Sequence, residues 1–207
     1  FQHYQRALPL AEAERGLLAY EMNGGPLPPQ HGFPLRLVVP GWYGMTNVKW
    51  LTAITLLEEP FQGFQQSVAY RVYREDGEPG EPLTRMMPRS LMVPPGVPEF
   101  MTRERHLEPG PVTLRGRAWS GWSPIAAVAV STDGGASFAE AELEEPVGDA
   151  AWRGWRFEWD APEGEHVLSS RATDAAGNTQ PLEPPWNLKG YANNAVERLR
   201  VIVGRRA

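Results

Sequence analysis

From residue 98 onward the apolar positions alternate with polar ones in short runs: 112–120, 125–131, 137–143, 152–159, 165–172 and 195–203. An alternation of period two is the mark of a strand with one buried face. Turn residues separate the runs: Thr132-Asp133-Gly134-Gly135 reads as a hairpin connection, and Asp174-Ala175-Ala176-Gly177-Asn178 as a second turn. Six or seven short strands in about a hundred residues predict an immunoglobulin-like antiparallel β-sandwich. Six of the eight tryptophans fall in this half (Trp119, Trp122, Trp152, Trp155, Trp159, Trp186), enough aromatic area to fill a core without disulfides.

The first half is less regular. A short helix is expected around residues 8–14, leading into a strand at 17–20 and a tight turn at Asn23-Gly24-Gly25. A Pro-rich loop over 26–34 carries His31 at its tip. Strand 35–39 follows, then a loop at 40–44. Residues 47–58 alternate well enough to predict a second strand, with Trp50, Ile54 and Leu56 among its apolar positions. Residues 61–73 have no clear period. Residues 75–98 are dense in Gly, Pro, Glu and Arg and read as a mostly irregular connector. A boundary at 90–97 divides the chain into a first part, 1–95, and a second, 96–207. The fold expected is mainly β, with an α+β first part.

Arg36 breaks the pattern. It is a permanent charge inside the run Leu35-Arg36-Leu37-Val38-Val39, with His31 five residues before and Lys49 in the segment that follows. On the pattern alone, an Arg in such a run is the wet position of a half-buried strand. An imidazole, a guanidinium and an ammonium around one strand are also what an anionic, phosphate-bearing ligand requires, since Arg forks onto oxyanions and Lys supplies a point charge.

The words in these stretches decide between the two. AYEMNG, PLPPQHGFPLRLVVPG and VKW closely resemble the core segment of the sulfite oxidase family of molybdenum enzymes. GRAWSG, VAVSTDGG and PPWNLKG resemble the family's C-terminal dimerisation domain. The likeness is weakest in the connector. It implies the end of a molybdopterin-binding oxidoreductase domain followed by an immunoglobulin-like dimerisation domain, hence a homodimer. It further implies that His31, Arg36, Asn47, Val48 and Lys49 contact molybdenum-molybdopterin, and that Tyr70 stands beside the reacting centre; without it, Tyr70 is an aromatic core residue among Phe61, Phe64 and Tyr73. The implied reaction is oxygen-atom transfer, sulfite to sulfate, with electrons passed to a cytochrome. Lys189 in PPWNLKG stands where sulfite-oxidising relatives place an arginine of the substrate pocket. It keeps the charge but not the bidentate fork.

Composition narrows the alternatives. A net charge of -5 leaves no footprint for nucleic acid, and no apolar run is long enough to cross a bilayer. Only two Lys occur, Lys49 and Lys189, and both lie in these motifs. Zero Cys excludes disulfides and thiolate ligands in this chain. The family's molybdenum-ligating cysteine lies upstream of the matching segment, so the resemblance implies either a C-terminal fragment, inactive alone, or one of two polypeptides. His3, His106 and His166 have no ligand spacing, and the acidic run 140–145 reads as a solvated hairpin face. The sequence leaves the compartment open between periplasm and cytoplasm. A non-catalytic β-sandwich dimerisation module is the competing class; it has no use for cations grouped around strand 35–39.

Overall fold

The computed structural model describes residues 3–204. The chain forms two compact units, Phe1–Met86 with Trp186–Ala192, and Met87–Pro185 with Asn193–Ala207.

The first unit has little regular structure. Helix α1 (Leu10–Ala13) starts after Pro9, whose carbonyl accepts the Glu12 and Ala13 amides. Strands β1 (Leu17–Ala19) and β4 (Arg36–Val38) pair antiparallel, with Ala19 opposite Arg36. Between them, β2 (Glu21–Met22) and β3 (Gly25–Pro26) form a hairpin whose turn places Asn23 and Gly24 at φ 53° and 79°. Asn and Gly are the residues that reach this left-handed region cheaply. Later in the chain, β5 (Arg71–Val72) pairs with β6 (Glu81–Pro82).

Side chains do much of the tying that sheets do elsewhere. The Glu12 carboxylate accepts from Arg85 and from Trp42 Nε1 (3.1 Å), fastening α1 to the loop at 40–44. These two hydrogen bonds, the Arg85 one first, hold the Glu12 carboxyl below its ordinary value.

The strand expected over 47–58 does not form. The Leu51 amide reaches the Leu35 carbonyl, and beyond it residues 52–60 are exposed and outside any strand. Ile54 and Leu56 are 69% and 83% exposed. Alternation assigns faces to an extended segment, but a strand also needs a neighbour to take its backbone groups.

The second unit is the sandwich that the alternation predicts. Its strands are β7 (Arg89–Val93), β8 (Val97–Pro98), β9 (Arg105–Leu107), β10 (Gly110–Trp119), β11 (Ile125–Ser131), β12 (Ala139–Glu140), β13 (Glu142–Leu143), β14 (Arg153–Ala161), β15 (Gly164–Asp174) and β16 (Leu199–Val203). One sheet runs β13-β14-β10-β7 and the other β12-β11-β15-β16-β9-β8. Among the described residues all pairings in this unit are antiparallel except β16 with β9, which is parallel, so the second unit is not the wholly antiparallel sandwich expected. β7 corrects the reading of the connector as irregular. Its inward positions Ser90 and Met92 alternate, but a five-residue run ahead of Pro94-Pro95 is hidden by proline density. The expected strand 137–143 is two strands. It breaks at buried Ala141, so that β12 pairs with one sheet and β13 with the other.

Both sheets contribute to one core, with Leu114, Ala118 and Trp155 from the first and Val128, Val130, Leu168, Ala172, Val201 and Val203 from the second. Trp155 is fully buried, and its cross-strand partner is Gly116. A Cβ at Gly116 would collide with the Trp155 indole and the Leu91 carbonyl. The glycine is what lets the largest core side chain lie across β10. The buried Gln180 side chain is fully employed. Gln180 Oε1 accepts from the Ser90 and Ala172 amides (2.9 and 3.1 Å), and its amide donates to the Ala195 carbonyl. The acidic run lies on the outer face, where Glu142 and Glu144 pair with Arg156 and Arg117.

Candidate functional site

Residues 29–31 form a single 3-10 turn that ends at Gly32, φ 112°. Three side chains from the following strand and loop fold back onto its three carbonyls. Trp50 Nε1 donates to Pro29 O, Lys49 Nζ to Gln30 O, and Arg36 Nη1 to His31 O, each at 3.0 Å. Trp50 takes φ 52°, a genuine outlier for a bulky residue, and this turns the chain so that Lys49 and Trp50 both reach the turn. The Lys49 ammonium also lies 5.0 Å over the Trp50 ring.

The structure thus gathers His31, Arg36 and Lys49 around one point, and that point is Gly32. A Cβ there would stand 3.1 Å from the Cβ atoms of both Arg36 and Lys49. The close approach of the two stems requires the glycine twice, for space and for the positive φ. Among the described residues no ion pair involves Arg36 or Lys49. Arg36 Nε is buried without a protein partner, and Lys49 retains donors beyond the one on Gln30. His31 is exposed at the rim. This is an uncompensated cluster of donors, in which a buried guanidinium atom lacks a hydrogen bond.

Asn47 has a different employment. Its Oδ1 accepts the Val39 amide (2.6 Å) and its Nδ2 donates to the Trp42 and Tyr43 carbonyls (3.4 and 3.2 Å). It locks the end of β4 to the loop at 40–44. The Val48 carbonyl accepts the Leu37 amide at 2.8 Å, which fixes where Lys49 leaves the strand.

Tyr70 follows a π-helical turn, Gln65–Ala69, in which the Tyr70 amide donates to Gln65 O at 3.1 Å. Its half-buried ring meets Tyr191 at 5.7 Å between centroids and lies under the Arg6 guanidinium, 5.8 Å away. Tyr4 adjoins it. The Tyr4 hydroxyl donates to Met45 O at 2.5 Å, and burial first, then the neighbouring Tyr70 phenol, push its pKa up. Lys189 belongs to the segment Trp186–Ala192 of the first unit. Its ammonium donates to Val68 O (2.7 Å) and Ala69 O (3.3 Å), and lies 4.4 Å over the Tyr73 ring. Tyr70 and Lys189 therefore meet at one turn. Arg6 and Tyr4 are residues of this cluster that no motif signals; what brings them there is tertiary, across some sixty positions of chain.

Two domain matches define a class, the molybdopterin oxidoreductases. Residues 1–65 match the oxidoreductase molybdopterin-binding domain, and residues 83–204 match the Mo-co oxidoreductase dimerisation domain. The chain belongs to the molybdenum-cofactor oxidoreductases that carry this dimerisation domain. It is 37% identical over 222 residues to the mitochondrial sulfite oxidase of Macaca fascicularis, covering 97% of this chain and 39% of that protein. It is 31% identical to the nitrate reductase [NAD(P)H] of Hordeum vulgare, covering 97% of this chain and 25% of that one. The sulfane dehydrogenase SoxCD of Paracoccus pantotrophus superposes with a TM-score of 0.82 at 27% identity, over 96% of this chain and 54% of that structure. The chain spans well under two thirds of each.

The family's cofactor fits the residues present. A pterin with a phosphate arm is anionic and rich in acceptors, and the turn at Gly32 offers cationic donors that no carboxylate neutralises.

Proposed function

We propose that the protein carrying this chain is a molybdopterin-dependent enzyme of oxygen-atom transfer that oxidises sulfite, with electrons passed to a cytochrome and the sandwich mediating a homodimer. The balance is sulfite plus water to sulfate, two protons and two electrons. When bound, the molybdenum centre supplies the oxygen transfer and the two-electron change. The chain's own residues bind and orient. Arg36 and Lys49 hold the anionic part of the cofactor, His31 adds a donor at the rim, and Asn47 and Val48 form the backbone frame that fixes Lys49. Tyr70 donates its hydroxyl to the oxyanion without adding a charge. Lys189 brings its charge to the turn preceding Tyr70 and attracts the anion there.

One observation carries the reading: the donor cluster packed around Gly32 without a carboxylate. The test is Arg36→Met in the full protein, which keeps the stem volume and removes the guanidinium. β4 should survive, because Leu37, Val38 and Val39 still specify it. Pterin retention under dialysis should fall by about 1.5–3 kcal/mol, the scale of a charge-assisted hydrogen bond. Unchanged pterin occupancy would return Arg36 to a solvated strand position. Sulfite-dependent cytochrome reduction, assayed beside nitrate reduction and oxidation of a sulfane substrate, separates the substrate alternatives that the relatives offer.

A further inference from the structure

The π-helical turn Gln65–Ala69 is gripped at both ends by cations. Gln65 O accepts two donors, the Tyr70 amide (3.1 Å) and Arg6 Nη1 (2.9 Å). Val68 O and Ala69 O accept the Lys189 ammonium. Next to Arg6, the Ala7 amide donates to the Gln66 side chain at 2.9 Å. The segment around residues 4–7 is therefore fastened to the turn by two hydrogen bonds and to the loop at 44–46 by the Tyr4 hydroxyl. A π-helical turn wastes backbone pairing and widens the helix, so it persists only where its surroundings hold it.

Arg6 does more than hold the carbonyl. Its guanidinium stands over the Tyr70 ring, and its Nε is buried without a protein partner. Burial lowers its own pKa, while the Tyr4 and Tyr70 phenols oppose that shift. A half-buried guanidinium whose Nε donor is unmet is a costly way to secure one loop, and an apolar side chain would pack there without that cost. What only a guanidinium does here is combine the bond to Gln65 O with a planar face over Tyr70.

We propose that Arg6 is the positioning residue of Tyr70: it clamps the carbonyl at the start of the π-helical turn, the one that accepts the Tyr70 amide, and covers the tyrosine ring, fixing where the Tyr70 hydroxyl meets the bound oxyanion. This rests on the reading of Tyr70 as the residue that donates to substrate.

The experiment uses the full molybdenum protein with sulfite as substrate and four variants: Arg6→Met, Arg6→Lys, Tyr70→Phe, and Arg6→Met with Tyr70→Phe. A displaced catalytic group loses rate steeply, so Arg6→Met should lower kcat roughly tenfold to a hundredfold at unchanged pterin content. Arg6→Lys, which keeps a donor for Gln65 O, should recover part of it. The double variant should turn over no more slowly than Tyr70→Phe alone, because Arg6 acts through Tyr70. A readout independent of turnover is the Tyr4 phenol followed by carbon-13 NMR. The Arg6 charge restrains its upward shift, so Arg6→Met should move its titration to still higher pH. Normal turnover in Tyr70→Phe would remove the reading beneath the proposal. Loss of rate in Tyr70→Phe with fully additive loss in the double variant would overturn the proposal alone. So would an unmoved Tyr4 titration, or loss of folding in both Arg6 variants, which would make Arg6 a purely architectural residue.

Discussion

The two units solve the problem of staying folded by different means. The second has strands up to 11 residues long, two sheets and one shared apolar core with Trp155 fully enclosed. The first has strands of two or three residues, and its large apolar side chains Ile54, Leu56, Leu57 and Phe64 are all more than half exposed. What orders the first unit is a set of side chains: Arg6, Arg36, Asn47, Lys49 and Lys189 bond to backbone, and Glu12 bonds to the side chains of Arg85 and Trp42. Hydrophobic burial is non-directional and tolerates substitution of like for like. A hydrogen-bonded staple is directional, and losing one partner leaves the other unsatisfied. A region built from staples places individual groups accurately, and that is the region that holds the donor cluster and Tyr70.

The comparison can be broken first at Trp155. Trp155→Ala should destabilise the second unit by about 3–5 kcal/mol, the usual cost of emptying a large aromatic site in a core. Urea unfolding followed by tryptophan fluorescence measures it. A loss below about 1 kcal/mol would mean that burial is not what holds the sandwich.

A smaller and more local effect is expected at Asn47. Asn47→Ala removes the acceptor of the Val39 amide and a donor to the Trp42 carbonyl, a cost of about 1–3 kcal/mol. Hydrogen exchange should quicken at Val39 and remain as in the parent at Val128 and Leu168. Equal quickening in both units would erase the distinction between them.

The smallest effect is the pH dependence at Glu12. Its carboxyl is depressed below the ordinary 4.5 by Arg85 first and by Trp42 next. A depressed carboxyl stabilises the fold above its unfolded value, and that contribution is lost as pH falls through the folded value. Below about pH 4.5 the parent should therefore lose stability more steeply than Glu12→Gln, with the two curves running parallel at neutral pH. Parallel curves throughout would show that the staple contributes no ionic stabilisation.

The difference between the units also explains what the sequence disclosed. Strands β10, β11, β14 and β15 were legible because each buries alternate side chains in one core, which writes a period of two into the chain. β7 was not, because its alternation lasts five residues and abuts a double proline. Residues 47–58 misled because an exposed extended arm can carry the same alternation with no neighbour to pair it. At the site, His31, Arg36 and Lys49 lie within nineteen residues of one another, and a Gly-flanked motif announces them. Arg6 and Tyr4 had no such signal. Their partners are the Gln65 carbonyl, the Met45 carbonyl and the Tyr70 side chain, and backbone carbonyls look alike in every sequence.

The segment Trp186–Ala192, which closes the first unit beside Tyr70, has a consequence for the order in which the molecule can be made. A ribosome releases residue 86 about a hundred residues before it releases Trp186. At 5–20 residues per second, that interval lasts roughly 5–20 s. During it the strands of the sandwich emerge, while the π-helical turn waits without Lys189 and Tyr191. The unit that comes first from the ribosome thus waits for its last piece until most of the sandwich strands have emerged, and Tyr70 cannot be seated before then.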